Sequence, residues 1–533
     1  MPVSTQLLVG ARIYSSVAPD ATSMAVTDGV VSWVGDDRAA RALHPGAEVV
    51  DLDGAFVAPA FVDTHVHVTA LGLNIVGLDL VDAGSLRECL DRLSSFAHTH
   101  PDAVIWGHGW DESNWADGGP PTTAQLDEAA PGRAVYLSRI DSHSAVCSTA
   151  LRRLVPSLAA AVGYSPDSPL VSEAHHAARA VARSLLTADQ RSAARSAALD
   201  AIAARGVVGV HECGGPDISG LDDFRELLST AHGVEIRGYW GEAVADAGEA
   251  RELLQSTGAH ALGGDLFIDG SIGSHTAWLG EPYADLGDCT GNGYLGVEEI
   301  ANHVRACTVA GIQAGFHAIG DAAVAAAIDA FALVADELGG PAVAALGHRL
   351  EHAEMISGED TARMAAWGVI ASVQPAFDAL WGGTSGLYAR RLGTERALTL
   401  NPFAKAASAG VSLAFGSDAP VTEVEPWAML RAAVHHRAPG SGISPRAAFA
   451  AATRGAWRAG GVRDGLAGTL NPGAPASYAV WNVDELVVDA PKDSVQRWST
   501  DPRSRVPALP RLDDDAPTPV LLRSVHRGNV VYG

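Results

Sequence analysis

Eight short apolar segments separated by alanine-rich stretches of helical character run from residue 61 to residue 459. This alternation constrains the fold more than any other feature. The segments are Phe61–His67, Val207–Cys213, Glu235–Trp240, Leu266–Gly270, Gln313–Ile319, Leu346–His352, Val369–Gln374 and Ser412–Ser417, with helical runs such as Ala301–Ala310, Ala322–Leu338 and Pro445–Ala459 between them. Buried strands alternating with helices are the pattern of a parallel sheet covered on both faces. Eight of them predict an α/β protein built on a (β/α)8 TIM-like barrel. The spacing is regular after residue 205, but Thr69 to about Arg205 separates the first two strands by far more than an ordinary connection. That excess predicts an inserted subdomain. Short strand-like segments before residue 58 and after Thr469-Leu470-Asn471-Pro472-Gly473 suggest that the two ends complete one sheet assembly.

At 533 residues, 47% of them apolar and 19% charged, the chain can bury a large interior. Its formal charge of −25 repels phosphates and anionic lipid, so neither a nucleic-acid nor a membrane partner is expected. The five cysteines, Cys89, Cys147, Cys213, Cys289 and Cys307, are scattered and form no C-x-x-C pair, which argues against a thiolate zinc site or a disulfide framework. The start, Met1-Pro2-Val3-Ser4-Thr5, lacks the basic and apolar character of a signal peptide, so a cytoplasmic location is expected.

Chemistry concentrates at strand ends. In Phe61-Val62-Asp63-Thr64-His65-Val66-His67 the two histidines are separated by one residue on a strand, so both face the same way and can reach one ion. Three more segments end comparably: His317-Ala318-Ile319-Gly320-Asp321, His348-Arg349-Leu350-Glu351-His352 and Gly416-Ser417-Asp418-Ala419-Pro420. Strand C-termini of a barrel converge on one mouth, where nitrogen and oxygen ligands suit a borderline cation such as zinc.

With these segments in hand, the sequence resembles the amidohydrolase superfamily, and within it the amidohydrolase-3 or YtcJ-like family. Gly109-Trp110-Asp111-Glu112-Ser113, Asp141-Ser142-His143-Ser144 and Asp269-Gly270-Ser271 carry the resemblance further. It implies a distorted barrel over 59–69 and 200–463, a composite β-sandwich from 1–58 and 464–533, and a pocket wall or lid in 70–199. It also implies that His65, His67, His317, His352 and Asp418 form the metal site, with one or two ions, zinc by preference. Asp418 would take a proton from the attacking water. The expected activity is hydrolysis of a non-peptide, amide-type C–N bond of a small molecule by metal-activated water. Deamination of an amidine-like ring and a catalytically silent scaffold of the same fold are the alternatives, and a homodimer is the default assembly.

One departure stands out. Related sequences often carry a metal-bridging lysine on strand four, whereas this chain has Asp265 there, and its only lysines are Lys405 and Lys492. On a regular strand of about 3.3 Å per residue, Asp265 falls some 13 Å further than Asp269 from the mouth. Asp269 is then the better-placed extra ligand and Asp265 the poorer one. Trp110, Asp111, His143, His211 and His275 are the candidates for substrate contact, and Arg349 is expected to form a structural ion pair.

Overall fold

Every residue of Phe61–Val66 (β1) is buried, as is every residue of Val207–Gly214 (β2). Strands buried along their whole length need cover on both faces, as in a parallel sheet flanked by helices. The computed structural model describes residues 5–101, 104–116, 119–140, 144–488 and 506–533. After β2 come Glu235–Trp240 (β3), Ala261–Leu262 (β4), Gly315–Ala318 (β5), Arg349–His352 (β6), Ile370–Val373 (β7) and Ser412–Phe415 (β8). They form two four-stranded parallel sheets, ordered β4-β3-β2-β1 and β5-β6-β7-β8. Single parallel bridges join them at both seams, Leu262 to Ala314 and Val66 to Ala419. The strands thus follow one another in sequence order around both seams.

Helices separate the strands as the alanine-rich runs require. In Asp321–Leu338 the buried positions Ala323, Val324, Ala327, Ile328, Phe331 and Val334 recur at helical spacing, and Asp321 lies in the first turn. Ala247–Thr257, Gly358–Ala366 and Phe403–Ala409 lie between other successive strands.

The two chain ends do share a sheet. Tyr478–Asn482 pairs antiparallel with both Phe56–Pro59 and Val520–His526. A second sheet orders Val30–Gly35, Ser23–Thr27, Thr5–Val9 and Glu48–Asp51. Leu8, Met24 and Val31 of the latter share one apolar cluster with Val57, Tyr478 and Val480 of the former. These sheets and the eight parallel strands belong to one compact unit, 1–67, 200–216 and 224–533.

The other unit, 68–199 with 217–223, has its own five-stranded sheet. Leu170–Val171, Ser144–Cys147, Ala134–Arg139, Val104–Trp110 and Leu78–Asp79 form it in that order. Two apolar clusters draw on the sheet, one with Trp106, Tyr136 and Leu170, the other with Ile105, Trp110 and Leu137. No helix among the described residues is long and apolar enough to cross a membrane.

The fourth strand is the one the sequence misplaced. It is Ala261–Leu262, and Leu266–Gly270 is not a regular strand. Gly263 and Gly264 take φ of 158° and 73°, and a Cβ on Gly263 would meet Gly315 N at 2.4 Å. Side chains are excluded there by the close approach of β5. Beyond this break the chain returns to β5 through a Phe267–His317 bridge, so four residues, 263–266, oppose two, 315 and 316, between successive bridges. The surplus is a bulge, and Asp265 sits in it.

Candidate metal centre

β1 delivers His65 and, one residue past its end, His67. A Cβ on Gly416 would stand 2.5 Å from His65 N, so a glycine is needed for the segment after β8 to approach β1 this closely. The Asp63 carboxylate ties the same seam, accepting the N–H groups of His65 at 3.2 Å and Ser417 at 2.9 Å. Burial pushes the Asp63 carboxyl up to about 6 against those hydrogen bonds. At the end of β6, His352 has φ 68°, and the chain turns there.

The structure brings His65, His67, His317, His352, Asp418 and Asp265 together. Asp265 Oδ1 lies 3.3 Å from His65 Nε2 and 3.5 Å from His317 Nδ1, and its Oδ2 lies 3.3 Å from His67 Nε2. Asp418 Oδ1 is 3.2 Å from His67 Nε2 and 3.6 Å from His65 Nε2. His317 and His352 rings are 4.4 Å apart between centroids. Their neighbours fix which ring nitrogen faces inward. His65 donates from Nδ1 to Glu351 Oε2 at 3.1 Å, His352 from Nδ1 to Gln374 Oε1 at 2.7 Å, and His317 from Nε2 to the Gly270 carbonyl at 3.3 Å.

The remaining nitrogen of each ring therefore presents a lone pair toward the carboxylates. No hydrogen bond of good geometry reaches His65 Nε2, His317 Nδ1, His352 Nε2 or Asp265 Oδ1 among the described residues, and all are buried. Acceptors facing acceptors at 3.2–3.6 Å repel unless a cation or proton lies between them. Tetrahedral ligands bonded at about 2.05 Å stand about 3.3 Å from one another, so the spacing fits a divalent ion with nitrogen and oxygen donors.

A second triad, His65, Cys213 and Glu351, is also close enough to share an ion. Its carboxylate is already engaged: Arg349 donates to Glu351 Oε1 from Nε at 2.9 Å and to Oε2 from Nη2 at 2.8 Å. Arg349 is fully buried, also donates to the Thr64 carbonyl and Ser372 Oγ, and lies 4.2 Å over the Tyr239 ring. This is the structural ion pair expected of Arg349. Against burial, the guanidinium holds Glu351 down at about 2.

Asp269, favoured by the sequence as the extra ligand, gives way to Asp265. Its Oδ1 accepts Ile319 N at 2.9 Å, and its Oδ2 accepts Trp278 N at 2.9 Å and Gly320 N at 2.7 Å. It clasps the loop after β4 to the start of the 321–338 helix and approaches His317 Nε2 only to 3.9 Å. The expected 13 Å offset of Asp265 assumed a regular strand, and the bulge removes it.

Of the substrate-facing candidates, four can be described, each within its own unit. Trp110 is fully buried in an apolar cluster and donates from Nε1 to the Leu137 carbonyl at 3.0 Å. His211 is fully buried beside Tyr239, accepting from Arg349 Nη1 at 2.8 Å, and burial and then Arg349 keep its pKa well below normal. Asp111 caps the 112–114 turn and pairs with Arg139 at 2.7 Å. His275 has φ 58° and pairs with Asp285 at 2.9 Å. His143 lies outside the described residues. Two supports went unread in the sequence. Glu351 lies directly before His352 in the sixth segment, where only the neighbouring strands reveal its role, and Gln374, at the end of the seventh segment, carries no signal beyond its position.

A parallel α/β scaffold with histidines and aspartates converging at strand ends defines a class of metal-assisted hydrolases. The chain belongs to the amidohydrolase family, whose pattern it matches over residues 48–532. It is 27% identical to Protein LONG AFTER FAR-RED 3 of Arabidopsis thaliana, over 90% of this chain and 87% of that one. It is also 27% identical to the putative amidohydrolase YtcJ of Bacillus subtilis, over 77% and 79% of the two chains. Among solved structures, an uncharacterized metal-dependent hydrolase from Pyrococcus furiosus superposes with a TM-score of 0.74 at 25% identity, over 90% of this chain and 99% of that chain.

Proposed function

We propose that the protein is a metal-dependent hydrolase that cleaves a non-peptide, amide-type C–N bond of a small molecule, at the mouth of a (β/α)8 barrel formed by β1–β8. The observation that carries this reading is the set of inward lone pairs on His65, His317 and His352 facing the oxygens of Asp265 and Asp418. These residues and His67 would hold the metal, zinc by preference for such donors. A divalent ion bound there polarises a carbonyl and lowers the pKa of water.

The protein's own groups do the rest. Glu351, Gln374 and the Gly270 carbonyl hold three imidazoles in the tautomer that ligation needs. Asp418 and His67 are partly open to solvent, with side chains 11% and 14% exposed, so water and substrate enter on their side. The Asp418 carboxylate accepts a proton from the attacking water and returns it to the departing amine. Family membership and the metal-dependent hydrolase relative support hydrolysis.

The test is a panel of small amides, with ammonia or amine release as the readout, on wild type and Asp418→Asn. A loss of about 10²–10⁴ in kcat with the fold intact is expected. An unchanged kcat in the variant would remove Asp418 from proton transfer.

A further inference from the structure

The two oxygens of Asp265 serve different histidines. Oδ2 faces His67 Nε2 at 3.3 Å, while Oδ1 stands between His65 Nε2 at 3.3 Å and His317 Nδ1 at 3.5 Å. The ligand-capable atoms accordingly fall into two triads that share this one side chain: His65, His67 and Asp265, and Asp265, His317 and His352. A third triad, His65, His352 and Asp418, runs across both, so the two positions adjoin. Four inward imidazoles and two carboxylates exceed the four ligands of a tetrahedral ion. With a single such ion, buried lone pairs of the other triad would face one another unless a proton lay between them, at a cost of about 1–3 kcal/mol for each left unmatched. Asp269 is the poorer candidate for the shared group, because three backbone N–H groups engage its oxygens and its Oδ1 stands 3.9 Å from His317 Nε2, on the ring nitrogen turned to the Gly270 carbonyl.

We infer that Asp265 bridges two divalent ions, one held with His65, His67 and Asp418, the other with His317 and His352. The inference rests on the metal-dependent reading proposed above and adds to it the number of ions and the group that joins them. The bulge after Gly263-Gly264 is what makes it feasible, since it carries a short aspartate into the cluster from a strand that ends at Leu262.

Chelator-treated protein reconstituted with Mn(II) tests this without reference to turnover, by ions bound per chain and by the electron paramagnetic resonance spectrum. Wild type is expected to bind two ions and give an exchange-coupled pair. Asp265→Asn, whose amide cannot bridge two cations, is expected to bind at most one and lose the coupling, while its metal-free form unfolds at the wild-type temperature. Should that variant not fold, His317→Asn replaces it and is expected to lose one ion and the coupling while keeping the other. One ion in wild type, two uncoupled ions, or a coupled pair surviving in Asp265→Asn would each overturn the bridge and leave a metal-dependent hydrolase standing. No bound ion in wild type, with Mn(II) or Zn(II), would overturn both.

Discussion

At the scale of single residues, the centre depends on groups that never touch a metal. Gln374 holds His352 Nδ1, and Glu351 holds His65 Nδ1 while neutralising Arg349. The two should respond differently to substitution. Gln374→Leu is expected to weaken metal affinity by about 10–100-fold, measured by competition with a chromophoric chelator. Its stability cost should be only about 1–2 kcal/mol. Glu351→Gln leaves a buried guanidinium without its counter-charge and should cost about 3–5 kcal/mol in denaturant unfolding. Equal stabilities for the two variants would contradict this ranking. His65 and His67 were readable in advance because a two-residue repeat fixes their common face. Gln374 was not, since its role exists only once β6 and β7 lie side by side.

At the scale of elements, the seams decide where ligands fall. Gly416→Ala forces a methyl group against His65 N and should cost about 1–3 kcal/mol, with metal affinity falling alongside as His65 is displaced. Unchanged affinity would show that this seam does not position the ligand. A second seam joins β3 to the last strands, where Glu235 pairs with Arg237 at 2.9 Å, Arg527 at 2.9 Å and His526 at 3.2 Å. Burial opposes its ionisation, but His526, Arg237 and Arg527 prevail and hold the carboxyl down at about 2, against an ordinary 4.5. A depressed carboxyl stabilises the fold above its unfolded pKa and ceases to do so as pH falls through its folded value. Glu235→Gln should therefore lower stability by roughly 1–3 kcal/mol at pH 7, with the deficit closing between about pH 4.5 and 2. A deficit that stays constant across that range would assign its effect to packing instead.

Seven of the eight parallel strands could be found in the sequence because each is a short, largely apolar segment set between alanine-rich helical runs, buried along its length as in β1 and β2. The fourth could not. Its position depends on Gly263 fitting against β5, about fifty residues further on, and Gly264 against Cys213 and Tyr239, and those long-range contacts turn Asp265 from a remote residue into a central one. Trp110 shows the same limit in reverse. It sits in a motif that resembles the family's, yet only the packing of its own sheet reveals it as core.

At the scale of the whole molecule, the cluster ties distant parts of the chain together, drawing on residues 65, 67, 265, 317, 352 and 418. An ion that binds only this assembled set stabilises the folded state by mass action. Free Zn(II) at about 1,000 times its dissociation constant should add about 4 kcal/mol, so chelation should lower Tm by several degrees. The effect should reverse on adding metal, and a Tm indifferent to chelator would mean that no ion bridges these segments.

The most direct measurement is an anomalous difference map from crystals grown with Zn(II), collected on both sides of the zinc absorption edge. The account predicts density enclosed by His65 Nε2, His67 Nε2, Asp265 and Asp418, with further density beside His317 Nδ1 and His352 Nε2. A cluster without anomalous density, or zinc found only at other residues, would contradict it.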